Sequence, residues 1–194
     1  MPVLTTTRLI LRPWTMDDLA AVHAYASVLE NVFYMPWGPN TEAETIAFLE
    51  KAIALSRDNP AYTDNLAVVL RASDRVIGGC GLSVAAVLTG SLGWILHRDY
   101  WRQGLGSELA AELIRHGFED LRLHRIWASC HGDNVASYRV MERNGMRREA
   151  HFIQKRQHRG TWSDELIYAL LASEWKASSS KREECCSCHT AQQP

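Results

Sequence analysis

Residues 93–118 read GWILHRDYWRQGLGSELAAELIRHGF, a pattern that predicts a strand, a glycine turn and a helix in that order. The apolar run at 94–96 is typical of a short strand, and the spacing of Gly104 and Gly106 indicates a turn. After the turn, apolar residues recur at the three- and four-residue spacing of one helix face: Leu105, Leu109, Leu113, Ile114 and Phe118. The rest of the chain can be interpreted around this unit.

The glycine turn has the features of an anion site. The first turn of a helix leaves backbone N–H groups unpaired and carries the positive end of the helix dipole, and glycine lets an anion approach the backbone. Arg98 and Arg102 add positive charge nearby. The turn lacks the lysine of a Walker A loop and the third glycine of the dinucleotide fingerprint. A tight turn that needs two glycines for its geometry alone explains the pattern about equally well.

The composition of the whole chain is that of an ordinary globular protein. Its 194 residues fit one domain, which we predict at 1–176, followed by a disordered Ser- and Cys-rich tail at 177–194. The formal net charge of -1 gives no electrostatic case for binding nucleic acid or a membrane. Because the chain has no apolar run of membrane length and no signal-peptide pattern, we expect it in the cytoplasm.

The five cysteines do not indicate a disulfide framework. Cys80 and Cys130 lie in apolar, strand-like segments and are expected to be buried free thiols. The tail sequence CCSCH at 185–189 has ligand-type side chains, but a structural zinc site needs a fold that holds its ligands in tetrahedral geometry. A disordered appendage is the better interpretation, and we predict no metal.

Outside the central unit, the pattern alternates strands and helices. Strands are predicted at 7–13, 66–71, 76–84, 125–131, 152–158 and 165–171, and helices at 15–26, from 41 to before 59, and at 134–143. Thr41 and Glu44 form a capping-box pattern. The segment 32–40, with Pro36, Gly38 and Pro39, cannot be regular, and its aromatic residues suit either a packed loop or a wall of a substrate pocket. This order predicts an α/β domain with a mixed sheet.

A second strand-to-helix junction lies at 134–146, where the sequence reads NVASYRVMERNGM. Ser137 has Val140 and Met141 three and four residues later, so it lies near an inward-leaning apolar stripe. Its hydroxyl is either a small packing group or a donor directed at something buried. From these residues alone, packing is slightly favoured.

Four segments together resemble the GNAT superfamily of N-acetyltransferases, and most closely its RimJ/RimL branch, which acetylates the N-terminal amines of ribosomal proteins. They are YWRQGLGS at 100–107, N-x-x-S-x-x-x-x-E-x-N-G-M at 134–146, T-x-R-L-I-L-R at 6–12 and RGTWSDELIYAL at 159–170. The resemblance extends over 6–175. It implies the α+β GNAT fold: a mixed, mostly antiparallel sheet of six to seven strands, splayed at its centre, with helices on both faces.

The resemblance also implies acetyl-CoA as the co-substrate. Its pantetheine arm would lie in the splayed gap and pair with the backbone of Trp94, Ile95 and Leu96. Its pyrophosphate would lie on backbone N–H groups of the turn residues Arg102, Gln103, Gly104, Leu105, Gly106 and Ser107. Asn134 corresponds to the family's asparagine near the pantetheine. Ser137 corresponds to the branch's serine, which is thought to assist the departing thiolate, so Ser137 is the predicted catalytic residue.

The chain departs from the general GNAT pattern at three positions. Trp101 occupies the place of a glutamine or arginine, a replacement that resembles the RimJ/RimL branch. Many GNAT enzymes have a glutamate base five residues before the asparagine and a tyrosine acid seven residues after it, and these positions are Ser129 and Met141 here. The role of the tyrosine would pass to Ser137, and no residue matches the base.

The chemistry of acetyl transfer restricts the class of amine that can be the acceptor. An α-amine with a pKa of about 7.7–8.0 is partly neutral at cell pH, whereas a lysine side chain near about 10.4 is mostly charged. A protein N-terminal α-amine therefore suits a site without a strong base. We expect the oxyanion to be stabilised by the N–H group of Leu96. His131 is a possible base, although a strand-end histidine more often bonds nearby backbone, and Glu142, Asp164 and Glu165 receive no role.

Other functions remain open at this level. The acceptor could be a small-molecule amine, since the RimJ/RimL branch includes such enzymes. The missing glutamate and tyrosine also fit a non-catalytic CoA-binding module. A nucleotide-binding protein is a weaker alternative, because no magnesium-binding sequence accompanies the turn. The sequence leaves a monomer or a homodimer equally open.

Overall fold

The computed structural model describes residues 3–59 and 63–177. These residues form one eight-stranded sheet in the order β1-β2-β3-β4-β5-β6-β8-β7. The strands are β1 Leu4–Thr5, β2 Leu9–Arg12, β3 Leu66–Leu70, β4 Arg75–Ala86, β5 Thr89–Leu96, β6 Arg125–His131, β7 Arg147–His158 and β8 Thr161–Leu171. Neighbours are antiparallel except β5 and β6, which are parallel. The predicted mixed, mostly antiparallel sheet is confirmed.

The predicted count of six to seven strands is one too low. The additional strand is β1, which pairs antiparallel with β2. Its two residues are too few to show the alternation of apolar and polar side chains that predicts a strand. Strand β5 is also longer than the predicted 94–96, because its first half, with Gly90 and Ser91, lacks an apolar run.

In the described part of the chain, five α-helices connect the strands: α1 Leu19–Ala26, α2 Leu29–Val32, α3 Glu42–Asp58, α4 Leu105–Arg115 and α5 Val135–Arg143. The capping box of α3 is confirmed, since Thr41 Oγ1 accepts the Glu44 N–H at 3.3 Å and Thr41 N–H donates to Glu44 Oε2 at 2.7 Å. Helix α5 ends as predicted, with Gly145 in the left-handed region at φ 77°. The short helix α2 was not predicted.

Alternate residues of the strands enter two apolar cores on opposite faces of the sheet. One core contains Leu9, Leu11 and Val68 of the strands together with the inner faces of α4 and α5. The other contains Ala67 and Val69 together with α1 and α3. The predicted helices on both faces are thereby confirmed.

The sheet splays between its two parallel strands. β5 and β6 are paired only at Thr89–Arg125, Gly90–Ile126 and Ser91–Trp127. Beyond Ser91 the two strands separate, which leaves the second half of β5 bonded to β4 on one side and facing a gap on the other. This gap is the feature that positions the site.

One prediction concerns residues that the structure does not describe. The predicted Ser- and Cys-rich tail, including 185–189, lies outside the described residues apart from Ala177, so the division at 176 stays a prediction.

Over 3–59 and 63–177, no helix combines the length and apolarity that crossing a bilayer requires. In the same ranges, no group of three or more His, Cys, Asp or Glu side chains is arranged to hold a metal ion.

Candidate active site

The second half of β5 presents unpaired backbone groups to the gap. The N–H of His97 donates to the Ile77 carbonyl at 2.8 Å, and Leu96 lies opposite Gly78 in the same register. In an antiparallel ladder, successive residues bond alternately to the partner strand and away from it. The N–H and carbonyl groups of Trp94 and the N–H group of Leu96 therefore point away from β4 and into the gap. An extended amide-containing ligand could pair with them as an added strand.

The end of β5 is pinned to the turn that follows it. The Leu96 carbonyl accepts hydrogen bonds from Trp101 Nε1 at 2.8 Å and from Asn31 Nδ2 at 3.0 Å. Trp101 therefore links the strand to the glycine turn through its indole, which a glutamine or arginine at that position need not do. Asn31, on α2, is buried, and its Oδ1 has no hydrogen-bond partner among the residues described.

The glycine turn and the first turn of α4 form an anion cradle. Gly104 is in the left-handed region at φ 78°, and the helical ladder begins only where the Glu108 N–H donates to the Gly104 carbonyl at 3.1 Å. The N–H groups of Leu105, Gly106 and Ser107 consequently have no helical partner. Ser107 Oγ is buried and also lacks a partner within the part of the chain described. These donors, at the positive end of the helix dipole, suit a diphosphate.

The positive charge near this cradle is weaker than the sequence predicts from Arg98 and Arg102. Arg98 Nη1 is 2.5 Å from Glu30 Oε2, so much of its charge is compensated. The Arg102 side chain is exposed, and its backbone has a positive φ of 59°. Gln103 holds the turn, since its Nε2 donates to the Asp99 carbonyl at 2.9 Å.

A carboxylate anchors α4 to the edge of the sheet. Glu108 Oε1 accepts the Thr6 hydroxyl at 2.5 Å and the Arg8 N–H at 2.8 Å, while Arg8 Nε donates to Glu108 Oε2 at 2.6 Å. Arg8 Nη1 continues to the Gln103 carbonyl at 2.9 Å. Burial opposes ionisation of Glu108, but the bonds from Thr6 and Arg8 outweigh it and lower the pKa of the carboxyl.

Helix α5 brings the second motif to the gap. Asn134 Oδ1 accepts the Ser137 N–H at 3.1 Å, so the asparagine caps the helix. Asn134, Ser137 and Trp94 all line a cavity of about 470 Å³, called here the Ser137 cavity. Asn144 Nδ2 donates to the Ser107 carbonyl at 3.2 Å, which ties α5 to the first turn of α4. The two motifs of the sequence are thus held in one rigid unit.

The opposite wall of the Ser137 cavity is the irregular segment 32–40. The hairpin between β7 and β8 clamps it, because the Arg159 guanidinium donates to the Phe33 carbonyl at 3.2 Å and to the Gly38 carbonyl at 3.0 Å. His158 Nε2 also donates to the Phe33 carbonyl at 2.5 Å. Of the two interpretations of this segment, the structure supports a pocket wall.

The sequence offers His131 either as a base or as a strand-end histidine that bonds to nearby backbone, and the structure supports the second interpretation. His131 lines the Ser137 cavity and packs against Tyr34 at a ring distance of 5.1 Å. Its Nδ1 accepts the Asp133 N–H at 3.1 Å. A neutral imidazole with Nδ1 as acceptor has its proton on Nε2. The free edge of the ring is then a hydrogen-bond donor and cannot accept a proton from an amine.

The two carboxylates of the cavity are also occupied. Glu165 is buried and forms ion pairs with Lys155 and with Arg156, the latter at 2.5 Å. Asp164 Oδ2 lies 2.6 Å from His151 Nε2. The Gln154 N–H, and after it His151, lower the pKa of Asp164, so this carboxylate is a weak base. Glu142 stays on the solvated face of α5, where its Oε1 accepts the Tyr168 hydroxyl at 3.2 Å.

The comparison with known proteins agrees with this geometry. The profile of the acetyltransferase (GNAT) domain matches residues 8–147, well over half of the chain. The chain belongs to the GNAT acetyltransferase family. It is 36% identical over 173 residues to the uncharacterized N-acetyltransferase YnaD of Bacillus subtilis (strain 168), covering 89% of this chain and 98% of YnaD.

Solved structures show the same relationship. A GNAT-family acetyltransferase from Bacillus anthracis has a TM-score of 0.81 and 33% identity, covering 89% of this chain and 100% of that one. RimL, the ribosomal L7/L12 α-N-protein acetyltransferase solved in complex with coenzyme A, has the same fold, with a TM-score of 0.75 and 20% identity over 88% of this chain and 98% of RimL. This GNAT protein is therefore an N-acetyltransferase that uses acetyl-CoA.

The residues that the resemblance to this family predicts for the site lie at two ends of one gap. Trp94, Asn134 and Ser137 surround the Ser137 cavity, and the turn at 102–107 lies beyond the end of β5. Met141, at the position of the usual tyrosine, is buried in the core and cannot act as an acid. The anchoring role of Glu108 is not among the predictions from the sequence, and its place in the first turn of α4 is the signal that could have indicated it.

The thiols are not reactive groups of this GNAT site. Both Cys80 and Cys130 are free, as predicted, but Cys130 is only partly buried. Burial raises the pKa of Cys80 well above its usual range and raises the pKa of Cys130 to about 11. Each thiol therefore stays protonated at neutral pH.

Removing the charge of Glu108 should weaken both the fold and the cofactor site. For Glu108→Gln we expect a loss of about 1–2 kcal/mol in the free energy of unfolding at pH 7, because Arg8 is partly exposed, and about a threefold weaker Kd for acetyl-CoA. The folded pKa is lowered, so the stabilisation is complete above the ordinary glutamate pKa of 4.5 and disappears as the pH falls through the folded pKa.

Denaturant unfolding of both proteins from pH 7 to pH 3 measures this effect, together with calorimetric binding of acetyl-CoA. The stability difference should shrink below pH 4.5, and a difference that is constant over this range would contradict the ionic anchor. Glu112→Gln is the matched control, since Glu112 lies one turn further along α4 and pairs with Arg115 at 2.8 Å. This control should leave the Kd for acetyl-CoA unchanged.

Proposed function

We propose that this protein acetylates the α-amine of a protein N-terminus by direct attack of the amine on acetyl-CoA in a ternary complex. The observation that carries the acceptor class is the occupation of both carboxylates in the Ser137 cavity. Glu165 is neutralised by Lys155 and Arg156, and Asp164 accepts hydrogen bonds from His151 and from the Gln154 N–H. A site without a strong base favours an acceptor that is already partly neutral, and an α-amine with a pKa of about 7.7–8.0 meets this condition.

The geometry of the gap supports the proposed cofactor contacts. Acetyl-CoA would place its diphosphate on the N–H groups of 102–107, where the buried Ser107 hydroxyl lacks a partner among the described residues. The pantetheine arm would pair with the outward backbone N–H and carbonyl of Trp94, and Asn134 borders the same space. The N–H of Leu96 is the proposed donor to the oxyanion.

In the proposed reaction, the lone pair of the neutral amine attacks the thioester carbon. The C–S bond breaks, and the thiolate takes the proton of the Ser137 hydroxyl. The nitrogen loses its extra proton to water, and a water proton returns to Ser137, so the products are the acetylated amine and free coenzyme A. A thiol with a pKa of about 8.5, by analogy with cysteine, needs only this modest acid to leave.

Membership in the RimJ/RimL branch is part of the proposal. RimL and a putative ribosomal-protein-serine acetyltransferase from Vibrio cholerae share the fold at 20% and 23% identity. Identity at this level supports the fold and not the acceptor. The serine at position 137 and the tryptophan at position 101 are the sequence features that favour this branch.

A small-molecule amine is the second candidate acceptor. The observation that favours it is the aromatic wall of the Ser137 cavity, formed by Tyr34 and Trp37 on a loop that Arg159 holds in place. Such a wall can surround a compact amine as well as the end of a peptide.

The test is a panel of acceptors assayed for release of the coenzyme A thiol. It contains short peptides with a free α-amine, the same peptides with a blocked N-terminus and one lysine, and small primary amines. We expect turnover of free N-termini to exceed that of lysine side chains by at least about tenfold at pH 7.5, in line with their neutral fractions. If acetyl-CoA binds but no acceptor releases coenzyme A, the protein is a non-catalytic binding module.

A further inference from the structure

A second cavity adjoins the Ser137 cavity on the opposite side of β5. It has a volume of about 350 Å³ and is called here the Trp14 cavity. Its apolar walls come from β2–α1, from α3 and from the central strands: Trp14, Val22, Tyr25, Ala26, Phe48 and Ile95. Met35, Trp37, Gly93 and Trp94 line both cavities, so the two spaces meet at this point of β5. Its size is that of a small-molecule site.

The walls of the Trp14 cavity are almost free of charge. Tyr25 and Cys80 have pKa values raised by burial, so both stay neutral at physiological pH. Asn65 Oδ1 accepts the Trp14 Nε1–H at 3.0 Å. Among the described residues of the lining, Asp64 is the one charged group, and its Oδ2 accepts the Ser83 hydroxyl at 2.9 Å. The interior therefore suits an apolar group and disfavours an ammonium that leaves water, except beside Asp64.

Gly93 lies where the linings of the two cavities meet, and the open space beside it is called here the passage. A Cβ atom on Gly93 would meet no atom within 4 Å, and its φ lies outside the left-handed region. By contrast, a Cβ on Gly79 would contact Trp14 at 3.0 Å, and one on Gly81 would overlap the Asp64 carbonyl at 1.9 Å. Packing therefore requires Gly79 and Gly81 but not Gly93. Glycine inside a strand lowers stability, and it often marks a place where a ligand comes close.

We infer that the Trp14 cavity binds a bulky apolar group of the acceptor, which passes Gly93 while the amine stays in the Ser137 cavity. The inference rests on the proposed function, because it assigns the second part of the same acceptor. The acceptor is then a primary amine with a large apolar group close to the nitrogen. An N-terminal residue such as leucine or phenylalanine has this chemistry, and so does an arylalkylamine.

Two acceptor series test the inference. One consists of peptides that differ only in the first residue, which is alanine, leucine or phenylalanine, and the other of ethylamine and phenethylamine. For each series we expect kcat/KM to be at least about tenfold higher for the bulky apolar member, since one methylene in an apolar pocket is worth about tenfold or more. The series with the larger preference identifies the source of the amine. Equal kcat/KM for the small and bulky members of both series would overturn the inference.

Gly93→Leu is the decisive variant, because its side chain would occupy the passage. We expect it to reduce the bulky-to-small ratio of kcat/KM by about tenfold or more. Gly93→Ala, whose Cβ has free space, should fold normally and give an intermediate ratio. Val84→Leu is the matched control, since Val84 is exposed on β4 outside both cavities, and it should leave the ratio as in the unmodified protein. A ratio unaffected by Gly93→Leu would also overturn the inference.

Tryptophan fluorescence separates this inference from the proposed function. Trp14, Trp37 and Trp94 line the Trp14 cavity, so the leucine peptide and phenethylamine should change the emission when they bind. A change that Gly93→Leu abolishes, without release of coenzyme A from any acceptor, would refute the proposed catalysis and leave the cavity assignment standing. Release of coenzyme A with no preference for apolar groups would refute only the cavity assignment.

Discussion

Replacing Ser137 with alanine should lower kcat by about 100-fold while the KM for acetyl-CoA changes by less than about twofold. A positioned acid contributes about 10²–10⁴-fold to a proton transfer, and the low pKa expected of the leaving thiol places this step near the lower end. The backbone N–H of Ser137, which Asn134 Oδ1 accepts at 3.1 Å, is retained in alanine. Helix α5 and the cap should therefore remain intact.

Steady-state kinetics with the best acceptor of the panel measure this change, together with calorimetric binding of acetyl-CoA. Ser163→Ala is the matched control, because Ser163 lines the same cavity but its hydroxyl already donates to the Arg156 carbonyl at 3.2 Å. We expect its kcat to stay within about threefold of the unmodified protein, as for loss of one internal hydrogen bond. An unchanged kcat in Ser137→Ala would remove the serine from the mechanism.

Replacing Gly104 with valine should weaken acetyl-CoA binding by between about fivefold and 150-fold. Gly104 has φ 78°, where a β-branched residue is strained by about 1–3 kcal/mol. The chain can relieve this strain only by rotating the backbone at the start of α4. That rotation moves the N–H groups of Leu105, Gly106 and Ser107, which are the proposed ligands of the diphosphate.

Gly160→Val is the control for strain alone. Gly160 has φ 83° in the turn between β7 and β8, and its Cβ, like that of Gly93, would meet no atom within 4 Å. Both variants should lose a similar amount of thermal stability, but only Gly104→Val should raise the Kd for acetyl-CoA in calorimetry. Equal Kd values for the two variants would show that the turn does not contact the cofactor.

Much of the fold could be predicted because its signals are local. Strand β6 has the predicted bounds 125–131, and the capping box of Thr41 and the left-handed Gly145 lie where the pattern placed them. Each of these signals is contained within a few neighbouring residues. Strand β1 could not be predicted, because two residues are too few to show an alternation of apolar and polar side chains and because its pairing depends on β2.

The candidate site could be predicted only in part. The turn at 102–107 and Ser137 are predicted from motifs that lie along one strand–helix junction each, and their roles stay predictions. The roles of Trp101 and Asn31 could not be predicted, because each depends on a hydrogen bond to the Leu96 carbonyl. Trp101 reaches this carbonyl across a turn, and Asn31 lies 65 residues away from it in the chain. The rejection of His131 as a base likewise needed the observed bond from the Asp133 N–H to Nδ1.

By itself, the sequence determined the order of the elements and the resemblance to an acetyltransferase family, since these are properties of residues adjacent in the chain; the anion site at the start of α4 stays a prediction. Only the tertiary structure decided that Glu165 is ion-paired and Asp164 hydrogen-bonded, that 32–40 is a cavity wall held by Arg159, and that Gly93 lies beside a second cavity. These features depend on groups brought together from different strands and loops. Those neighbouring groups decide whether a carboxylate acts as a base or as an ion-pair partner. The sequence around the carboxylate does not show which groups will be its neighbours.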